Sequence, residues 1–290
     1  MNVAQDVHPL STTFARLSEM SAYIKAYLGR PENDGWVAPL QSFTPGSSLL
    51  NERRASVQQQ LHTETANIVG SSLLQGYQWL VISVAVGSFL IDRRVPDLDV
   101  EQIWVRASAH DVAEVSEIAF MSGRFAALSS DPAAAHPDAT IFATEDELRV
   151  HLRTTLEAHF SPLINLIHAA VGTATRGLWL NVADRCAVNL IRFMQAQGEQ
   201  VSLAAIQHEI EQMLRIPGSP LKSNKTGVIA LTYQQHTHCF LERATCCYWH
   251  RTDGGQYCAT CPHRSQAERR QLHVNKLTEK YAEPVSEAAD

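Results

Sequence analysis

Apolar residues recur at three- and four-residue steps along most of this chain, the period that buries one face of a helix, and only short stretches alternate as strands do. The spacing predicts a first helix over 11–29, with Phe14, Leu17, Tyr23, Ile24, Tyr27 and Leu28 on one side, a Ser11 or Thr12 cap, and Pro31 as its stop. A polar, exposed helix over about 47–62 follows. Trp79 to Ile91 is then an uncharged run of thirteen residues. A helix that spans a bilayer needs about 20 apolar residues, and this run meets Gln75 and Gln78 on one side and Asp92-Arg93-Arg94 on the other. It reads as a buried core helix, and no integral membrane segment is expected.

From residue 101 the period shortens. Gln102 to Arg106 alternates as a half-buried strand does, and Val115–Phe120 and Arg124–Leu128 flank Ser122-Gly123, a pair that predicts a hairpin turn. Ser129 to Asp138 carries two prolines and no large apolar residue. It is the expected boundary between an N-terminal helical region with a small sheet, 1–138, and a second helical region, 139–263, before a charged tail, 264–290. Thr144 with Glu147 forms a capping box ahead of Leu148, Leu152 and Leu156, and Pro162 is expected to open a separate helical turn carrying Leu163, Leu166 and Ile167. A helix over about 177–197 places Trp179, Val182, Cys186, Leu190 and Phe193 on one face, and Gly198 ends it. On that stripe Cys186 reads as a small buried hydrophobe. Ser202 caps a further amphipathic helix, and short strands over 228–233 and 239–243 lead into a cysteine-rich stretch. The fold class expected is α+β, predominantly helical, with small antiparallel sheet elements and a C-terminal cysteine-rich cluster loop.

Composition narrows the function classes. At 290 residues, 45% hydrophobic and 19% charged, the chain can build a real core and does not need metal merely to fold. With 30 acidic and 24 basic side chains its net charge is −6, which gives no support to nucleic-acid binding. The first residues, Met1 to Leu10, show neither a basic segment nor an apolar one of the kind that opens a secretory signal, so a cytoplasmic protein is expected. In that compartment thiols stay reduced, and clustered cysteines read first as metal ligands or redox centres.

Four of the six cysteines fall within sixteen residues: Cys246-Cys247, ten residues, then Cys258-Ala-Thr-Cys261. The CxxC pair suits a zinc knuckle. Adjacent Cys246 and Cys247 suit a single small ion poorly, because neighbouring side chains diverge, whereas a two-iron cluster spreads its ligands over two metals. Spacing thus favours iron–sulfur and leaves zinc and a thiol redox pair as alternatives. His236, His238 and Cys239 form a second group just upstream, read as a strand or as outer support, since four cysteines already complete a cluster. Arg243, His250 and Arg251 would favour a more negative, reduced cluster, and Tyr248, Trp249 and Tyr257 would limit solvent access. Arg243, Trp249 and Arg251 are the candidate rim facing a substrate or an electron donor. The helix expected over 264–281 is charged and solvated, with basic side chains that suit an acidic electron donor, ahead of a disordered 283–290.

The CCx10CxxC pattern of Cys246, Cys247, Cys258 and Cys261 resembles the hallmark of the FhuF-type siderophore-iron reductases. Gly177-Leu-Trp-Leu-Asn181, Ser71-Ser-Leu-Leu74 and Gly123-Arg124 resemble shorter patterns of the same family. The resemblance implies a [2Fe-2S] cluster on the four cysteines, a ferric siderophore of hydroxamate type as substrate, an unidentified cellular electron donor, and release of Fe(II). The family's upstream region is similar to a domain of siderophore synthetases, which implies a siderophore pocket there. The basic tail after Pro262 and the N-terminal extension depart from the pattern. Two other classes stay open: a non-enzymatic binding module stapled by zinc, and an iron–sulfur protein that senses redox state or passes electrons elsewhere.

Overall fold

A computed structural model describes residues 7–109, 111–198, 202–234, 236–251 and 254–281. In chain order its elements are α1 (Pro9–Met20), β1 (Ala26–Leu28), β2 (Trp36–Val37), α2 (Pro39–Phe43), α3 (Ser48–Leu61), α4 (Ala66–Asp92) and β3 (Arg94–Pro96). Next come β4 (Ile103–Ala107), β5 (Val115–Phe120), β6 (Phe125–Leu128), β7 (Ala139–Phe142), α5 (Glu145–Val171), α6 (Thr175–Ala196) and α7 (Leu203–Leu214). The chain closes with β8 (Gly227–Tyr233), β9 (His236–Glu242) and α8 (Gln266–Tyr281). The architecture is α+β and mostly helical, with small, mainly antiparallel sheets.

The apolar run lies in α4, which packs against α1, α3, α5 and α6. By length and composition α4 could cross a membrane, yet 78% of its most apolar window is buried within the protein. Its apolar surface is therefore used up on its own neighbours. Close approach is built in at Gly76, where a methyl group would stand 2.2 Å from the Ala113 carbonyl oxygen. The same oxygen accepts a hydrogen bond from the buried Arg53 guanidinium at 3.0 Å, so α3, α4 and the segment before β5 are locked at one point.

Several boundaries differ from the sequence expectation. The first helix ends at Met20, is capped by His8 with Pro9 in its first turn, and does not reach residue 29. Its stripe of Leu10, Phe14 and Leu17 breaks at Ser21, and Ala26–Leu28 instead pairs in parallel with Ile118–Phe120. The hairpin expected about Ser122-Gly123 does not form: β5 belongs to the sheet ordered β1-β5-β4-β2, and β6 to the one ordered β3-β6-β7. Neither Ser122 nor Gly123 takes the positive φ that two-residue hairpin turns require, and the chain crosses there from one sheet to the next. Pro162 sits inside the continuous α5 rather than opening a new helix. An interior proline costs about 3 kcal/mol, and burial of Leu156, Phe160, Leu163 and Ile167 on both sides of it offsets that. The Thr144/Glu147 capping box is present.

The segment 129–138 forms turns, and residues on either side of it, Phe89 and Phe160 among them, enter one connected core. Cys186 is fully buried there, its thiol pushed up to about 12 by desolvation. Arg149 ties α5 to α7 through paired 2.8 Å bonds to Glu209. The tail helix α8 is not wholly solvated: Arg269, His273 and Leu277 are buried. His273 stacks on Phe240 at 4.1 Å, Arg269 bonds Glu242 at 2.7 Å, and Leu277 joins Ile229 and Leu231 on the β8–β9 ribbon. Residues 283–290, expected to be disordered, lie outside the described residues.

Candidate metal centre

The ribbon of β8 and β9 delivers the chain to the cysteines, and α6 holds both. Gln195 behaves as a missing strand, accepting from the Cys239 N–H at 2.7 Å and donating to the Cys239 carbonyl at 3.1 Å. About three turns earlier on α6, the buried Asp184 collects four donors on one carboxylate. They are the Thr226 hydroxyl at 2.7 Å, the Ala244 amide at 2.9 Å, the Thr245 amide at 3.1 Å and the Arg243 Nε at 3.5 Å. Asp184 thus anchors the two residues that immediately precede Cys246. Desolvation raises its pKa, and the donors pull in the opposite direction. Sequence reasoning passed over Asp184, because a single acid on a helix reads as a solvent-facing residue.

All six cysteines are free thiols. Cys246 and Cys261 are buried, and Cys247 and Cys258 are half-buried. The sulfurs are arranged as two pairs. Cys247 Sγ lies 4.0 Å from Cys258 Sγ, and Cys246 and Cys261 are close enough to share a thiol hydrogen bond. Two thiolates about 2.3 Å from one tetrahedral ion stand about 3.8 Å apart, so each pair has the spacing of ligands on one metal. Among the described residues, no three cysteine sulfurs lie within 4.8 Å of one another. A lone zinc would need all four together; two metals need two pairs.

The surroundings favour the thiolate at Cys258, whereas burial pushes the Cys246 thiol up. The Cys247 S–H, donating to Cys258, lowers the Cys258 thiol to about 5, with Thr260 and Arg243 acting in the same direction. Cys247 is raised in return by the same bond. The Tyr248 amide donates to Cys246 Sγ at 3.2 Å, and His250 Nδ1 stands 3.7 Å from the same sulfur. His250 also meets the Tyr257 ring at 4.5 Å and the His263 ring at 5.3 Å. Tyr248 itself has φ 60, a left-handed backbone that turns the chain sharply after the adjacent pair.

Two cavities adjoin this loop. The first, of about 480 Å³, runs between α4, α6 and β9 and ends on Thr260, inside the CxxC pair. The second, of about 580 Å³, has Cys247 and Trp249 in its wall, and Gln75 and Arg185 line both. Of the three rim candidates, Arg243 lines the first cavity and Trp249, 49% exposed, lines the second. Arg251 is exposed and lines neither. Cys239 faces the first cavity, whereas His238 packs on the Tyr281 ring at 5.5 Å. The His236 side chain is outside the described set. Asn181, singled out in the family-like stretch, is buried and reaches Ser71, in the other such stretch, at 3.4 Å.

No curated protein matches the chain. Residues 243–263 match the family model described as the FhuF 2Fe-2S C-terminal domain, a stretch that begins at the arginine held by Asp184 and takes in all four clustered cysteines. The C-terminal loop of this chain is thus similar to a FhuF 2Fe-2S C-terminal domain, which supports a [2Fe-2S] cluster here.

Proposed function

We propose that the protein is a cytoplasmic ferric-siderophore reductase. In this reading Cys246, Cys247, Cys258 and Cys261 hold the cluster, with Cys247 and Cys258 on one iron and Cys246 and Cys261 on the other. The observation that carries it is the division of four sulfurs into two pairs beside a cavity of small-molecule size. When bound, the cluster supplies one electron: Fe(III) in the chelate becomes Fe(II), the carrier's covalent bonds are unchanged, and a cellular one-electron donor restores the reduced centre. Hard oxygen donors hold Fe(III) far more tightly than Fe(II), so this one transfer makes the iron exchangeable.

The chain's own residues supply position and field. Asp184 fixes the entry to the loop, Arg243 places a positive charge beside the thiolates, and Trp249 walls the side of Cys247 that faces solvent. No side chain need act as a base or nucleophile.

The test is an anaerobic absorbance assay. Purified protein should be brown, its visible bands should bleach with dithionite, and they should return when a ferric siderophore is added with a ferrous trap present. A colourless protein with stoichiometric zinc would refute the reading in favour of a zinc-stapled binding module. An intact cluster that no ferric siderophore reoxidises would favour electron transfer to another partner.

A further inference from the structure

The first cavity is unusually cationic for a protein of net charge −6. Arg185, Arg192 and Arg243 all line it, against one carboxylate, Asp184. That carboxylate is already shared among a hydroxyl, two backbone amides and the long 3.5 Å contact to Arg243. Among the described residues, neither Arg185 nor Arg192 has an acid within ion-pairing distance. On its other side Arg185 reaches the second cavity, whose wall includes Asp111 and Glu114. The three arginines feel one another: burial first, and then Arg243 and Arg192, lower the Arg185 pKa to about 10, despite the opposing pull of Asp184. Like charges gathered in a half-enclosed space are costly unless an anion joins them.

A second feature points the same way. Gln75, Gln78 and Asn181 line this cavity too and bring three side-chain amides to its wall. Amides beside guanidinium groups give the wall neutral hydrogen-bonding groups as well as charge, which suits a polar, anionic occupant. Thr260 closes the space, with its hydroxyl 3.7 Å from Cys258 Sγ, so an occupant would sit against the cluster loop.

We propose that this cavity seats an anionic ferric chelate, one whose carboxylate or catecholate donors leave the complex negatively charged, with Arg185, Arg192 and Arg243 as the groups that recognise that charge. This rests on the reductase reading and departs from the hydroxamate carrier that the family resemblance implies, because a ferric tris-hydroxamate is close to neutral and leaves the Arg185 and Arg192 guanidinium groups without an anion. Carboxylate and catecholate chelates share the chemistry that the arginines read.

Gallium(III) complexes provide the test, since Ga(III) matches Fe(III) in charge and size and accepts no electron. Binding to the cluster-loaded full chain is measured by calorimetry for three probes: a carboxylate chelate, a tris-catecholate and a neutral tris-hydroxamate. At least one anionic complex should bind about tenfold or more tightly than the neutral one, and its affinity should fall with added salt while that of the neutral one stays level. Arg192→Gln, at an exposed position that the fold does not need, should weaken the anionic complex about tenfold and the neutral one less than about twofold. Arg185→Gln should do the same where it folds. Equal affinities for charged and neutral probes, or no effect of Arg192→Gln, would overturn the proposal while leaving ferric reduction with a ferrous trap intact. Tight, charge-selective gallium binding without reduction of the matching ferric complexes would overturn the reductase reading and keep the anion site.

Discussion

Replacing Asp184 with Ala should cost the protein its hold on the cluster before it costs the fold. The carboxylate accepts from Thr226, Ala244, Thr245 and Arg243 at 2.7, 2.9, 3.1 and 3.5 Å. A hydrogen bond to a charged group is worth about 1.5–3 kcal/mol, but the four share one acceptor and the freed loop can turn its amides toward water, so the terms do not add. Breaking a buried charged pair costs about 3–5 kcal/mol. The lower end of that range is expected here, and it falls mainly on residues 243–261, because the helices that form the core meet elsewhere. A local loss of about 3 kcal/mol raises the open fraction of the loop about a hundredfold.

The assay is the decay of visible absorbance in the presence of a strong iron chelator, with helix content followed by circular dichroism on the same sample. Bleaching of Asp184→Ala should accelerate about a hundredfold while the helical signal persists. Asp184→Asn, which keeps the shape and one carbonyl but turns its amide NH2 toward a donor, should fall between the two. A variant that keeps its cluster at the wild-type rate, or that loses it only as the whole protein melts, would show that Asp184 is an ordinary core residue and not the anchor of the loop.

Other consequences follow from contacts away from the loop. Gly76→Ala would place a methyl 2.2 Å from the rigid Ala113 carbonyl, and urea titration should show a loss of about 1–3 kcal/mol. Arg149→Ala strands Glu209 between α5 and α7, with an expected loss of about 3–5 kcal/mol in the same measurement. His159 is buried with its pKa lowered to about 4, chiefly by desolvation. Below the unfolded value of about 6.5 the unfolded chain takes up a proton that the native one refuses, so stability should be flat above that pH and fall by about 2 kcal/mol at pH 5; His159→Gln should remove that part of the slope. Cys258→Ser should abolish the visible spectrum, whereas Cys186→Ala, in the helical core, should leave it unchanged and lower the melting temperature by a few degrees.

What the sequence disclosed and what it hid differ by the range of the interaction. The apolar stripe of α4, the Thr144 capping box and the cysteine spacing are local, and each is legible within a window of some fifteen residues. The failures are cases where a distant partner overrides a local period. Tyr27 and Leu28 fit a helical stripe, yet they are strand because β5, about ninety residues on, offers a free parallel edge. Val115–Phe120 and Phe125–Leu128 look like a hairpin, yet each finds another sheet. The site divides in the same way. Its ligands are written side by side, but Asp184, Arg185, Arg192 and Gln195 come from α6 and Gln75 and Gln78 from α4. No residue on that list carries a signature of its own: each is a polar interruption in an amphipathic helix and reads as its outer face. They become a site only because α6 packs along α4 on one side and holds the β9 ribbon on the other, which closes a space between the core and the cysteine loop. On the reductase reading proposed above, the chemistry of electron transfer is local to the loop, while the choice of what receives the electron belongs to the helices. Substitutions in the two places should separate accordingly. Changes at the cysteines should alter the cluster's spectrum and leave gallium binding a secondary casualty, whereas Arg192→Gln should alter binding and leave the spectrum as it was. If the spectrum moved with Arg192, cavity and cluster would be a single site, and that division of labour would be wrong.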